Sequence, residues 1–204
     1  MDNITIRPEQ PEDYRQSEDV TREAFWDLYQ PGCNEHLILH KLRKIPGFVK
    51  ELDLVACDND KVVGNIVYSK ARVTDELKRE FIVLCLGPVA VFPSHQKKGI
   101  GSSLIERSLD KARSLGYKAV ILFGDPGYYH RFGFRNAKEY GIQTAQGENL
   151  APFMALELRE GSLDGIQGKF FYDPVFEPGE DELEMFEKEF SPKEKHITDT
   201  QLKK

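Results

Sequence analysis

The chain has 204 residues, 40% of them hydrophobic and 30% charged, with a net charge of −6; that is the make-up of one globular domain with at most a short appendage. The acidic balance excludes a broad nucleic-acid surface, which needs clustered basic charge, and no apolar run approaches the ~20 residues of a membrane span. The N-terminus lacks the basic and apolar regions of a signal peptide, and Cys33, Cys57 and Cys85 form no Cys-x-x-Cys pair, so the thiols read as those of a reduced, cytoplasmic protein.

In chain order, Ile4-Thr5-Ile6-Arg7 alternates up to Pro8 and predicts a first strand. Pro11-Glu12-Asp13 opens a helix towards Trp26, with Val20, Ala24 and Leu28 at four-residue spacing. A second helix is predicted from Glu35 to Lys44, stopped by Pro46-Gly47. Residues 52–57 and 61–69 form a hairpin across Asp58-Asn59-Asp60, and a longer apolar strand runs from Phe81 to Phe92. From Gly99 to Leu115 the period is helical, with Ile100, Leu104, Ile105, Leu109 and Ala112 on one side and Gly116 placed to end it. Residues 118–123 read as a buried strand, and Pro126–Phe132 as a short helix or turn closed by Gly133. Further strands are predicted at 141–144, 153–158 and 168–172, then an acidic helix over 180–190 and a frayed polar tail over the last 14 residues. The order is that of a mixed α/β domain over residues 1–175, followed by an acidic helix and charged tail over 176–204.

The segment with most chemistry is Gln96-Lys97-Lys98-Gly99-Ile100-Gly101-Ser102. A strand through Val89-Ala90-Val91 breaks at Pro93, and two glycines then open an amphipathic helix. A helix start presents unpaired N–H groups and the positive end of its dipole, and glycines let a bulky anion approach them. Two lysines add local positive charge. The spacing is not that of a Walker A loop, and Leu104 stands where a dinucleotide fingerprint would carry its third glycine. These features predict a pyrophosphate-type site.

Gln96-Lys97-Lys98-Gly99-Ile100-Gly101 resembles the Gln/Arg-x-x-Gly-x-Gly/Ala signature of the GCN5-related N-acetyltransferases (GNAT). Leu86–Pro93 resembles the strand that precedes that loop, and Tyr129-His130-Arg131-Phe132-Gly133-Phe134 resembles the family's Tyr-x-x-x-Gly-Phe element. The whole run Gly124–Phe134 looks like that of a prokaryotic subgroup of N-acetyltransferases. The resemblance implies a GNAT fold, a mostly antiparallel mixed sheet flanked by helices, and acetyl transfer from acetyl-CoA to an amine without a covalent acyl-enzyme. It implies that the amides of Gln96, Lys97, Lys98, Gly99, Ile100, Gly101 and Ser102 hold the coenzyme pyrophosphate. Val89, Ala90 and Val91 would pair with the pantetheine arm, and Tyr129 would protonate the departing thiolate. No metal is implied, and a homodimer is left open. A module that binds acyl-CoA without turnover is the alternative.

No general base is legible in the sequence. Residues 81–92 contain no carboxylate; Glu80 precedes the strand, and Asp125 sits in Asp-Pro-Gly, ordinary turn chemistry. The Asn that many family members carry after the fifth strand is missing. Tyr128 is expected to pack while Tyr129 faces the thioester. His36 and His40 have helical metal-pair spacing without a third ligand, so they read as helix residues. His95 and His130 read as loop and structural residues, and Cys85 as core. Phe25, Trp26 and Tyr29 lie where the family borders its acceptor site.

Overall fold

The computed structural model describes residues 4–201. Its strands are β1 (Ile4–Pro8), β2 (Leu54–Asp58), β3 (Lys61–Thr74), β4 (Glu80–Val91), β5 (Ala119–Phe123), β6 (Arg135–Asn136), β7 (Ile142–Gln143), β8 (Phe153–Glu157) and β9 (Gly168–Phe171). The helices are α1 (Tyr14–Phe25), α2 (Glu35–Leu42), α3 (Ile100–Ser114), α4 (Pro126–Tyr129) and α5 (Glu180–Glu187). The strands form one nine-stranded sheet in the order β1-β2-β3-β4-β5-β8-β6, with β9 pairing β3 and β7 pairing β9. All pairs along that path are antiparallel except β4–β5.

The two faces of the sheet are covered by different helices, and the alternation along β3 shows why. Ile66 and Tyr68 turn towards α3, where Ile100, Leu104, Ile105, Leu109 and Ala112 pack as the helical period predicts. On the other face, Val62 meets Val20 of α1, and Val67 meets Leu39 and Leu42 of α2. Burying both faces gives β3 its run of buried residues from Val62 to Ser69.

Two irregularities in β4 shape the centre of the molecule. Its pairing with β3 slips between Ile66↔Val89 and Tyr68↔Leu86, so Gly87 and Pro88 stand opposite a single residue. That is a β-bulge, and it bends the strand. Pro88 has no N–H to give, and a Cβ at Gly87 would lie 2.8 Å from Val67 Cγ1 and 3.0 Å from Leu42 Cδ1. Secondly, β4 and β5 pair only at Leu84↔Val120 and Cys85↔Ile121, although β4 runs on to Val91 and β5 to Phe123. Beyond Cys85 the two parallel strands splay apart, and the edge of β4 from Gly87 to Val91 faces the opening.

The structure differs from the sequence expectations at several places. Helix α1 ends at Phe25, capped by the expected Trp26, and Leu28 lies beyond it because Asp27 adopts φ 58°, a left-handed turn. The strand expected over 141–144 is two residues long, and the two-residue strand Arg135–Asn136 carries no alternation to reveal it. The tail is the larger correction. Residues 191–201 are not frayed; they run along the C-terminal end of α1 and the turn after it. Trp26 Nε1 donates to the Glu194 carbonyl at 2.9 Å, Lys193 pairs with Glu23 at 2.7 Å, and Thr198 Oγ1 donates to the Asp27 carbonyl at 2.8 Å. Residues 202–204 lie outside the described part.

Candidate active site

The coenzyme side is built where β4 hands over to α3. A short turn, Pro93–His95, follows β4, and Gln96 Nε2 donates back to the Val91 carbonyl at 3.0 Å, tying the loop to the strand end. Lys98 Nζ donates to the Ser94 carbonyl at 2.8 Å, so part of its charge closes the same turn. Lys97 adopts φ 59°, and Gly99, the residue that caps α3, adopts φ 80°. The first α-helical bond runs from Ser103 N–H to the Gly99 carbonyl at 2.9 Å, which leaves the amides of Ile100, Gly101 and Ser102 without an intrahelical partner. A Cβ on Gly99 would meet nothing within 4 Å, so its side faces open space. These amides, the dipole and the absence of side-chain cover make the start of α3 fit a pyrophosphate.

Gly101 is required for a different reason. A Cβ there would lie 3.0 Å from the Tyr128 hydroxyl and 3.6 Å from Val91 Cγ2. The Tyr128 ring packs edge-on against Phe132 and under the Arg131 guanidinium, and its hydroxyl reaches the helix start across the splay. The ring packs as expected, against the core formed with α3. Val89, Ala90 and Val91 pair with Ile66, Asn65 and Gly64 on one side, and on the other they border the opening.

Tyr129 stands perpendicular to Tyr128, with ring centroids 5.1 Å apart, and against Phe134 at 5.6 Å. It fills the space over Gly124, where a Cβ would come within 2.7 Å of Tyr129 Cδ2. Burial, and after it the neighbouring hydroxyls of Tyr128, Tyr68 and Tyr29, push the Tyr129 phenol well above its ordinary range. It is thus held protonated. Its neighbour Tyr68 has no such freedom, because its hydroxyl is bound to Ser108 Oγ at 2.7 Å.

Residues 5–137 match the family described as an acetyltransferase (GNAT) domain. The chain belongs to the GNAT acetyltransferase family. It is 30% identical over 143 residues to Escherichia coli YhbS, named an uncharacterized N-acetyltransferase, a match covering 70% of this chain and 83% of YhbS. The crystal structure of Escherichia coli YhbS in complex with CoA superposes with a TM-score of 0.76 at 26% identity, covering 86% of this chain and 93% of that one. A GNAT acetyltransferase from Brucella melitensis in complex with acetyl-CoA gives a TM-score of 0.69 at 31% identity, covering 87% of this chain and 100% of that one. This chain is accordingly an acetyl-CoA-dependent acetyltransferase, and its fold is the mixed, mostly antiparallel GNAT sheet.

Beyond the tyrosines lie the α4 turn and the segment between α1 and α2. Asp125 caps α4, its carboxylate accepting from Gly127 N–H at 2.9 Å, as its turn chemistry predicts. Tyr29 is half exposed, at 50%, and packs on Phe25. Burial, then the charges of Glu35 and Asp125, raise the Tyr29 phenol. Glu35, the first residue of α2, folds its carboxylate back onto Asn34 N–H at 3.0 Å. An acid in a first helical turn is ordinary helix grammar.

The remaining candidates have structural roles. His36 is fully buried rather than near the surface, stacked on Phe186 with its Nε2 2.7 Å from Glu187 Oε1. His40 Nδ1 meets Glu18 at 2.8 Å, so the two histidines face different carboxylates. Among the described residues no group of three or more His, Cys, Asp or Glu is placed to hold a metal ion. His95 lies 3.4 Å from Asp58, away from the helix start, and Cys85 is buried in β4.

Proposed function

We propose that this acetyltransferase acts on an amine, with the parts of its own chain assigned as follows. The amides from Gln96 to Ser102 bind the coenzyme pyrophosphate. The free edge of β4 at Val89, Ala90 and Val91 pairs with the pantetheine arm and presents the thioester in the splay. Tyr129 protonates the leaving thiolate. One observation carries this reading: the opening between β4 and β5 leads directly from the glycine-bordered start of α3 to the two tyrosines of α4. A chain of that shape holds a long, thin ligand with a polyanionic end, as coenzyme A is.

The chemistry then needs little more than placement. Bringing amine and thioester together removes most of the entropic barrier of a bimolecular reaction. A donor at the departing sulfur lowers the rest. In this assignment residues 1–175 carry the chemistry, and the described part of 176–204 braces α1 and α2. All three cysteines are free and buried, in keeping with a reducing, cytoplasmic setting.

The test is release of free thiol from acetyl-CoA against a panel of primary amines. Turnover of at least one amine, with appearance of its N-acetyl product by mass, is the expected outcome. Coenzyme binding with no thiol release from any amine would favour the binding module instead.

A further inference from the structure

The open face of the splay can be traced along β5. Val120 and Leu122 turn towards α3, and Ala119 and Ile121 turn to the other face of the sheet. By the alternation of a strand, Phe123 belongs to the second set. The four residues before it are buried, whereas Phe123, the last of the strand, is 45% exposed.

Register puts that ring at the gap. The last β4–β5 pair is Cys85↔Ile121, so two residues further along each strand Gly87 and Phe123 stand on one face, on either side of the place where the strands have parted. Gly87 brings no side chain, which keeps the gap open on this face. On the α3 face, Tyr128 and Tyr129 pack with Phe132 against the core under α3, and the Tyr128 hydroxyl reaches the helix start. A coenzyme entering along the start of α3 therefore leaves the Phe123 face as the approach to its thioester.

The ring is also aimed. It stacks on the buried Phe153 of β8, with centroids 4.9 Å and planes 28° apart, and stands edge-on to Tyr172 at 6.1 Å. Because β5 lies between β8 and β4, the ring face turned away from Phe153 is turned towards β4 and the gap. Phe170 holds this arrangement from behind, 5.6 Å from Phe153 and 5.8 Å from Tyr172. The Tyr172 hydroxyl donates to Glu177 Oε1 at 2.6 Å, so it is already in use. A polar group laid on this platform would lose water without gaining a partner, whereas a planar apolar group would stack.

We propose that Phe123 is the acceptor-recognising residue of this enzyme: its free face carries the body of the acceptor beside the thioester and selects primary amines borne on an aromatic or other planar apolar group. The proposal rests on the acetyl-transfer assignment above and adds no step to its chemistry.

The test uses the full chain with acetyl-CoA and three primary amines: 2-phenylethylamine, 1,4-diaminobutane and ethylamine. The wild type should prefer 2-phenylethylamine to each of the others by about tenfold or more in kcat/KM, mostly through KM. Phe123→Ala should bring its preference over ethylamine down to about twofold or less. Phe123→Leu, which keeps an apolar side chain against Phe153 but has no flat face, should lie between. A wild type that prefers the diamine or ethylamine would overturn the proposal, as would a preference that survives in Phe123→Ala. Failure of the assignment beneath it is read separately: CoA binding with no thiol release from any amine removes amine acetylation. Calorimetry of 2-phenylethylamine on the CoA-loaded protein then decides the platform. Binding that is lost in Phe123→Ala upholds it; no binding to the wild type, or equal binding to both proteins, overturns it.

Discussion

Tyr129 and Gly99 separate two contributions that are easily confused. Tyr129 is packed against Gly124 and Phe134 and has no other work for its hydroxyl in the described hydrogen bonds. Tyr129→Phe therefore keeps the packing and removes one proton donor. The expected outcome is a fall in kcat of one or more orders of magnitude, with CoA affinity unchanged by calorimetry. Gly99 behaves in the opposite way. A side chain there meets open space, so the protein loses only the ~1–2 kcal/mol of a left-handed non-glycine residue. Gly99→Leu should fold, by circular dichroism, and fail to bind CoA. The steric reason for glycine at 101 is invisible in the sequence, because the atom that crowds a Cβ belongs to Tyr128, brought there only by the fold.

At the level of elements, the acidic helix α5 shows how an appendage is secured. Phe186 and Phe190 pack with Leu37, and Arg22 holds Glu187 through Nε and Nη2 at 3.2 and 2.8 Å. His36 lies under this contact. Because Arg22 already occupies Glu187, burial wins over that carboxylate and lowers the His36 pKa from 6.5 to about 4. The sign follows from proton counting: below pH 6.5 the unfolded chain binds a proton that folded His36 refuses. Stability should fall as pH drops from 6.5 towards 4, and His36→Gln should flatten that slope in thermal melts. The tail after Phe190 is held by exposed and partly buried hydrogen bonds, each contributing about 0.5–1.5 kcal/mol. Deleting residues 191–204 should lower Tm by several degrees and speed amide exchange at residues 26–33, without changing CoA affinity. Nothing in the polar run from Ser191 to Gln201 announced this docking, because its partners are the backbone carbonyls of Asp27 and Leu28 and single side chains of α1 and the turn after it, which no sequence pattern encodes.

For the whole molecule, ligand linkage gives the simplest check. A ligand that binds only the folded state at a hundred times its Kd stabilises by about 2.7 kcal/mol. CoA and acetyl-CoA should therefore raise Tm by several degrees, and NAD or ATP at equal concentration should not. Equal stabilisation by ATP would move the site away from the splay.

Much of this architecture is local and was legible residue by residue. The helical period of Ile100–Ala112, the hairpin across Asp58–Asp60, and the glycines that open α3 depend on spacing and backbone freedom, which a sequence carries in itself. The same local grammar, with the Tyr129 element, pointed to the family and to its coenzyme. What only the tertiary structure decided is which distant groups meet. The β4–β5 splay follows from where two strands stop pairing, and Tyr128 reaches Gly101 across that gap. Leu42 of α2 meets the β4 bulge at Gly87, a contact between residues 45 apart in the chain. Contacts of that kind depend on packing geometry between elements far apart in the chain, and no short stretch of sequence contains them.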